Sequence, residues 1–136
     1  MLALAGRYDE ALAHYSSARN LVEVERLSAD QKVHLAELSH KTAHVHKMRG
    51  QYDVAFEWLK RGLSYVDKGE ITIAAAQIYL HGAVLHLRQG NSDEALPWCQ
   101  RGLDIAAKIK TREGRQNVGR AYFILGNILS QYGELS

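Results

Sequence analysis

The stretch Gly50–Leu63, GQYDVAFEWLKRGL, returns further along the chain as Gly90–Leu103, GNSDEALPWCQRGL. Aligned over 36–63 and 76–103, the two segments share ten of 28 positions. These are Ala36/Ala76, Ala43/Ala83, His46/His86, Gly50/Gly90, Asp53/Asp93, Ala55/Ala95, Trp58/Trp98, Arg61/Arg101, Gly62/Gly102 and Leu63/Leu103. Repetition at such a period marks a stacked-repeat architecture. Partial copies flank the pair: GRYDEALAHYSSA (Gly6–Ala18) matches the second half of a unit, and AYFILGNILSQYGE (Ala121–Glu134) the first half. The turn glycines Gly6, Gly50, Gly90 and Gly133 are spaced by 44, 40 and 43 residues.

Each unit reads as two helices. Tyr52, Ala55, Phe56, Leu59, Leu63 and Val66 recur at three- and four-residue steps, one apolar helix face. In the preceding segment Leu38, Ala43, Val45 and Met48 stand among polar groups, up to Gly50. A glycine ends a helix readily because it takes positive φ without a Cβ clash. Ser28-Ala29-Asp30-Gln31 has capping-box spacing, so a helix starts near Asp30. Asp53 and the run Asn91-Ser92-Asp93-Glu94 supply caps and favourable charge for the next helices. Gly69 and Gly114 fall where second helices should end or turn. The expected helices cover 1–5, 8–26, 30–49, 52–67, 70–89, 92–109 and 113–132.

One helical hairpin cannot bury its own apolar face, so neighbours must present matching faces. The expected fold is all-α, a superhelical solenoid of antiparallel helix pairs. It forms a single domain over 1–136, with a partial unit 1–27, units 28–68 and 69–110, and a partial unit 111–136. The chain opens inside a helix and closes on an apolar one, Ala121-Tyr122-Phe123-Ile124-Leu125 with Ile128-Leu129. A fragment of a longer array is expected, with end helices able to form a homo-oligomer.

Composition excludes several classes. A net charge of +2 does not indicate nucleic acid. A single cysteine, Cys99, leaves no internal disulfide and fits a reducing, cytoplasmic setting. The start lacks a signal-peptide pattern. The most apolar stretch, Ile71–Leu87, is interrupted by Thr72, Gln77, His81 and His86 and does not read as a membrane span.

The pattern resembles the tetratricopeptide repeat. In that family a first helix carries small residues at its close contact, a Gly-x-Tyr-x-x-Ala turn follows, and a second helix carries an aromatic and a small residue. Gly6-Arg7-Tyr8-Asp9-Glu10-Ala11 and Gly50-Gln51-Tyr52-Asp53-Val54-Ala55 match that turn. In Gly90-Asn91-Ser92-Asp93-Glu94-Ala95, Ser92 replaces the tyrosine. Tyr122, Leu125-Gly126 and Gly133 match the first-helix pattern. The spacing of 40 or more exceeds the family's usual period of about 34, so helices or turns should be longer. Gly62 and Gly102 stand where the first copy has Ala18. A helix-interior glycine costs about 1 kcal/mol relative to alanine, offset here by close helix approach. Ala43, Ala83 and Gly126 are expected at similar contacts, with Trp58 and Trp98 in equivalent spaces of successive layers.

The resemblance also implies a concave groove lined by first helices that binds a peptide or protein segment. It assigns to that groove Glu37, His40, Lys41, His44 and Lys47 from the second unit, and Gln77, Leu80, His81, Val84, Leu87 and Arg88 from the third. From the last helix it adds Arg120, Phe123, Ile124, Asn127 and Gln131. Read from spacing alone, Glu37, His40, Lys41, His44 and Lys47 form one polar helix face. Cations and histidines beside apolar groups suit an acidic or mixed peptide. The family's carboxylate clamp uses a lysine and an asparagine one turn apart. His40 and His44 take those places, which argues against a chaperone-tail ligand.

Other features carry less. His40 and His44, with Glu37 one turn earlier, have metal-compatible spacing, but two helical histidines alone do not make a metal motif. His46 and His86 recur with the repeat and read as packing residues. Cys99 reads as a buried core thiol. Pro97 lies near the first turn of its helix and costs one hydrogen bond or almost nothing, depending on where the helix starts. Lys108–Arg120 carries five basic residues against Glu113, without the aromatic interleaving of a nucleic-acid motif. No phosphate loop, nucleophile–base pair or cofactor motif stands out. The expected function is non-enzymatic protein or peptide binding. The alternatives are a spacer or self-association segment of a larger regulatory or signalling protein, and an accessory part of an enzyme whose catalytic domain lies elsewhere.

Overall fold

The computed structural model describes residues 2–23, 27–66 and 71–135. Six helices follow in order: α1 (Leu2–Glu23), α2 (Ala29–Met48), α3 (Tyr52–Val66), α4 (Ile73–Arg88), α5 (Ser92–Ala107) and α6 (Arg112–Leu135). No strand occurs among the described residues. The chain divides into two compact units, Met1–Asp67 and Lys68–Ser136. In the first, α2 packs on α3 and on α1. In the second, α4 and α5 form a pair and α6 packs on both.

Local chemistry explains the boundaries. Ser28 caps α2 as a complete capping box: the Gln31 backbone N–H donates to Ser28 Oγ at 3.2 Å, and the Ser28 N–H donates to Gln31 Oε1 at 2.7 Å. Gly50 and Gly90 adopt φ of 75° and 77°, the positive-φ positions among the described residues. Each closes a Schellman motif. Gly50 N–H donates to Lys47 O at 3.0 Å and Gln51 N–H to His46 O at 2.9 Å. Gly90 N–H donates to Leu87 O at 3.0 Å and Asn91 N–H to His86 O at 2.8 Å. The repeated histidines therefore mark the same carbonyl in the same turn. Thr72 caps α4 through the Ala75 N–H. Asn91 makes no side-chain cap bond, and Asp53, Asp93 and Glu94 contribute first-turn charge.

Two expected breaks are absent. Helix α1 runs unbroken through Gly6, and α6 continues through Gly133 to Leu135. Glycine permits the left-handed turn without compelling it, and where the i→i−4 ladder persists the chain stays helical. Residues 24–26 of the expected second helix, and Gly69, lie outside the described residues. Gly114 belongs to the first turn of α6, capped by Thr111 Oγ1 at 3.1 Å. A Cβ there would meet Ile109 O at 2.0 Å, so the tight α5–α6 connection needs glycine.

The second unit's core joins Leu80, Ala83, Ala95, Cys99, Ala121, Ile124 and Ile128. Burying each large aliphatic side chain contributes roughly 1.5–3 kcal/mol. Gly102 lets α5 approach α4: an added Cβ would lie 2.7 Å from Leu80 Cδ2 and 3.2 Å from Ala76 O. That is the close approach expected to offset its helix cost. Gly82 forms a seat for the Trp98 ring, whose Cε3 would lie 2.2 Å from a Cβ at that position. Ala43 and Ala83 are fully buried. Gly126 differs from expectation: it is exposed, with open space around it, because Ala121, Ile124 and Ile128 present the buried face of α6.

Candidate functional site

On α2, Glu37, Lys41 and His44 are exposed and His40 is half-buried. Lys47 is only 7 % exposed, so it leaves the open face. On α4, Gln77, Val84 and Leu87 are half-buried and Arg88 is exposed. Leu80 and His81 are buried, at 0 % and 1 %, and are corrections to the groove assignment. Helix α4 is flanked by both α5 and α6, and Leu80 points toward Gly102 rather than solvent.

Helix α6 separates its residues more sharply. Ile124 is a core residue, 3 % exposed, and is removed from the groove set. Gln131 is structural: its Nε2 donates to Leu87 O at 3.3 Å and its Oε1 accepts from the buried Ser92 hydroxyl. Nearby, the Tyr132 hydroxyl donates to Asp93 Oδ1 at 2.7 Å, which raises the phenol pKa. Arg120, Phe123 and Asn127 lie on one exposed face, and Phe123 is 72 % exposed. Local desolvation lowers the Arg120 pKa from its ordinary value. A guanidinium nevertheless remains cationic at neutral pH.

The remaining features have structural partners. His46 Nδ1 meets Gln51 Oε1 at 2.7 Å, and His86 Nδ1 lies 3.2 Å from Glu94 Oε2. Among the described residues, no group of three or more His, Cys, Asp and Glu is gathered tightly enough to hold a metal ion. Cys99 is 1 % exposed, and its thiol donates to Ala121 O at 3.3 Å. Burial raises its pKa, which disfavours the thiolate a nucleophile needs. In the basic stretch, Lys110 Nζ donates to Ala107 O at 2.7 Å, at the C-terminal end of α5.

The two tryptophans do not share one environment. Trp98 packs near the rings of Tyr79 and His86, each at 5.7 Å. Trp58 has the guanidinium carbons of Arg19 and Arg61 at 4.5 and 5.3 Å from its ring centroid. It borders a cavity of about 190 Å³ between α1, α2 and α3. Sequence reading missed this cavity. Its one visible signal is Thr42 at the repeat position of Gly82.

The family model for the tetratricopeptide repeat matches residues 1–16 and 76–101. Two segments of this chain thus match the tetratricopeptide repeat. The second matched segment spans most of α4, the Gly90 turn and much of α5, so the match falls on an observed helix pair. No curated protein matches the chain significantly. Tetratricopeptide repeats are generally protein–protein interaction modules and typically non-catalytic. No helix among this repeat protein's described residues is long and apolar enough to cross a membrane.

Proposed function

We propose that this tetratricopeptide-repeat chain binds a segment of another protein and that the segment carries acidic groups. The observation behind this reading is the exposed Arg120–Phe123–Asn127 face of α6. An aromatic anchor beside a cation and an amide suits a peptide with an apolar side chain next to a carboxylate. Arg88 on α4 and Lys41 with His44 on α2 extend the same chemistry within their own units. A cytoplasmic setting suits the single buried thiol. The test is peptide-library panning against the whole chain, with Phe123→Ala/Arg120→Glu in parallel. Acidic peptides enriched on the parent and lost from the variant support the reading. Equal enrichment on both proteins overturns it.

A second reading, self-association, is favoured by three large apolar side chains exposed on α6: Tyr122 at 60 %, Phe123 at 72 % and Leu129 at 57 %. Sedimentation across a concentration series separates the two. A reversible dimer abolished by Tyr122→Asp/Leu129→Asp, with peptide capture intact, assigns that face to self-association.

A further inference from the structure

The cavity beside Trp58 is built by a difference between the repeats. In the second unit Trp98 occupies a seat that any Cβ at position 82 would block. Thr42 stands at that position in the first unit, 5 % exposed, with its hydroxyl donated to Leu38 O at 2.8 Å. A β-branched side chain held there denies Trp58 the equivalent seat and leaves a space of about 190 Å³ beside the ring.

Several polar groups around this space are turned away from it. The Thr42 hydroxyl is held by Leu38 O, and His46 Nδ1 meets Gln51 Oε1 at 2.7 Å. Arg19 Nε and Nη1 are fully buried and open no surface to the cavity. The wall is therefore almost wholly apolar, with Leu12, Leu38 and Trp58 among its residues. An anion would find neither of those two donors. A cation would meet two others, since the guanidinium carbons of Arg19 and Arg61 lie 4.5 and 5.3 Å from the Trp58 ring centroid. A charge of either sign would lose its hydration there without compensation. Water is poorly served too, because a buried water needs roughly two to four polar partners. A neutral apolar body loses no hydrogen bond on entry, and it restores dispersion contacts along the wall. An apolar cavity of about 150 Å³ takes up a benzene molecule, so this one accommodates a slightly larger ring.

We propose that the cavity between α1, α2 and α3 binds a neutral ring about the size of toluene, enclosed by Trp58, Leu12 and Leu38. The site is separate from the exposed α6 face and does not depend on protein binding there.

Titration of the whole chain with toluene, followed by NMR, tests it. Toluene should bind with Kd on the order of a millimolar. Its protons should show intermolecular NOEs to the Trp58 indole. Benzoate and benzylammonium, which add either charge to the same ring, should bind at least about tenfold more weakly. Ser16→Leu, which fills the cavity from α1, should abolish binding with the circular-dichroism signal retained. Ser17→Leu, on the exposed side of the same helix, should leave the affinity unchanged. The NOEs locate the site in the parent chain even where Ser16→Leu does not fold. N-acetylphenylalaninamide identifies the source of the ring: displacement of toluene assigns it to a peptide side chain, and failure to displace assigns it to a free small molecule. No toluene binding, NOEs that exclude Trp58, benzoate or benzylammonium bound as tightly as toluene, or unchanged affinity in folded Ser16→Leu overturns the proposal.

Discussion

Trp98 lies so close to the Gly82 backbone that a single methyl group there collides with the indole. Gly82→Ala should therefore lose about 1–3 kcal/mol in urea denaturation, as over-packed cores do. Gly102→Ala should lose a similar amount through Leu80 and the Ala76 carbonyl. Cys99 gives a second expectation. Burial raises its pKa above 9.0, so the folded chain holds the thiol proton more tightly than the unfolded chain. Its stabilising effect is complete below about pH 9 and is lost as pH rises through the folded-state value. The parent should lose more stability than Cys99→Ala between about pH 8 and pH 10. A thiol reagent should modify Cys99 slowly until the chain is denatured. The repeat alignment exposed Gly102 and Cys99 as packing positions. It did not reveal that Leu80 and His81 are buried, because IAAAQIYLHGAVLHLR is apolar on nearly every side and its periodicity selects no face.

Among the helices, turn chemistry was the most legible. Gly50 and Gly90 take the positive φ that their sequence context implies, whereas Gly6 lies inside a continuous helix. Gly50→Ala or Gly90→Ala should cost about 1–2 kcal/mol each, since an alanine at that φ is strained, while Gly6→Ala should be neutral or stabilising. Thermal melts of the three variants check the contrast. Pro97 is decided by the start of α5 at Ser92, which places it in the helix interior and exposed. The missing donor leaves the Asp93 carbonyl without its helical bond. Pro97→Ala should thus raise stability by about 1–3 kcal/mol without disturbing the core. The cavity by Trp58 was not legible at this level, because it arises from one Thr–Gly difference combined with the packing of α1.

For the whole molecule, the small net charge means that any acidic partner is drawn by local groups rather than by a global field. Raising salt from about 50 to 500 mM should weaken capture of acidic peptides, because exposed pairs are screened. Arg120→Glu should weaken capture and flatten that salt dependence. The helical-repeat fold was readable because repetition reports burial. The candidate face was only partly readable, because spacing orders residues around a helix without saying how many neighbours enclose it. The placement of the tryptophans has a spectroscopic use. Each compact unit contains one, Trp58 in the first and Trp98 in the second. Replacing either with phenylalanine leaves a single tryptophan, and its emission, excited beyond the tyrosine absorption band, reports on one unit, so the two halves of the chain can be followed optically through the same denaturation without an attached dye.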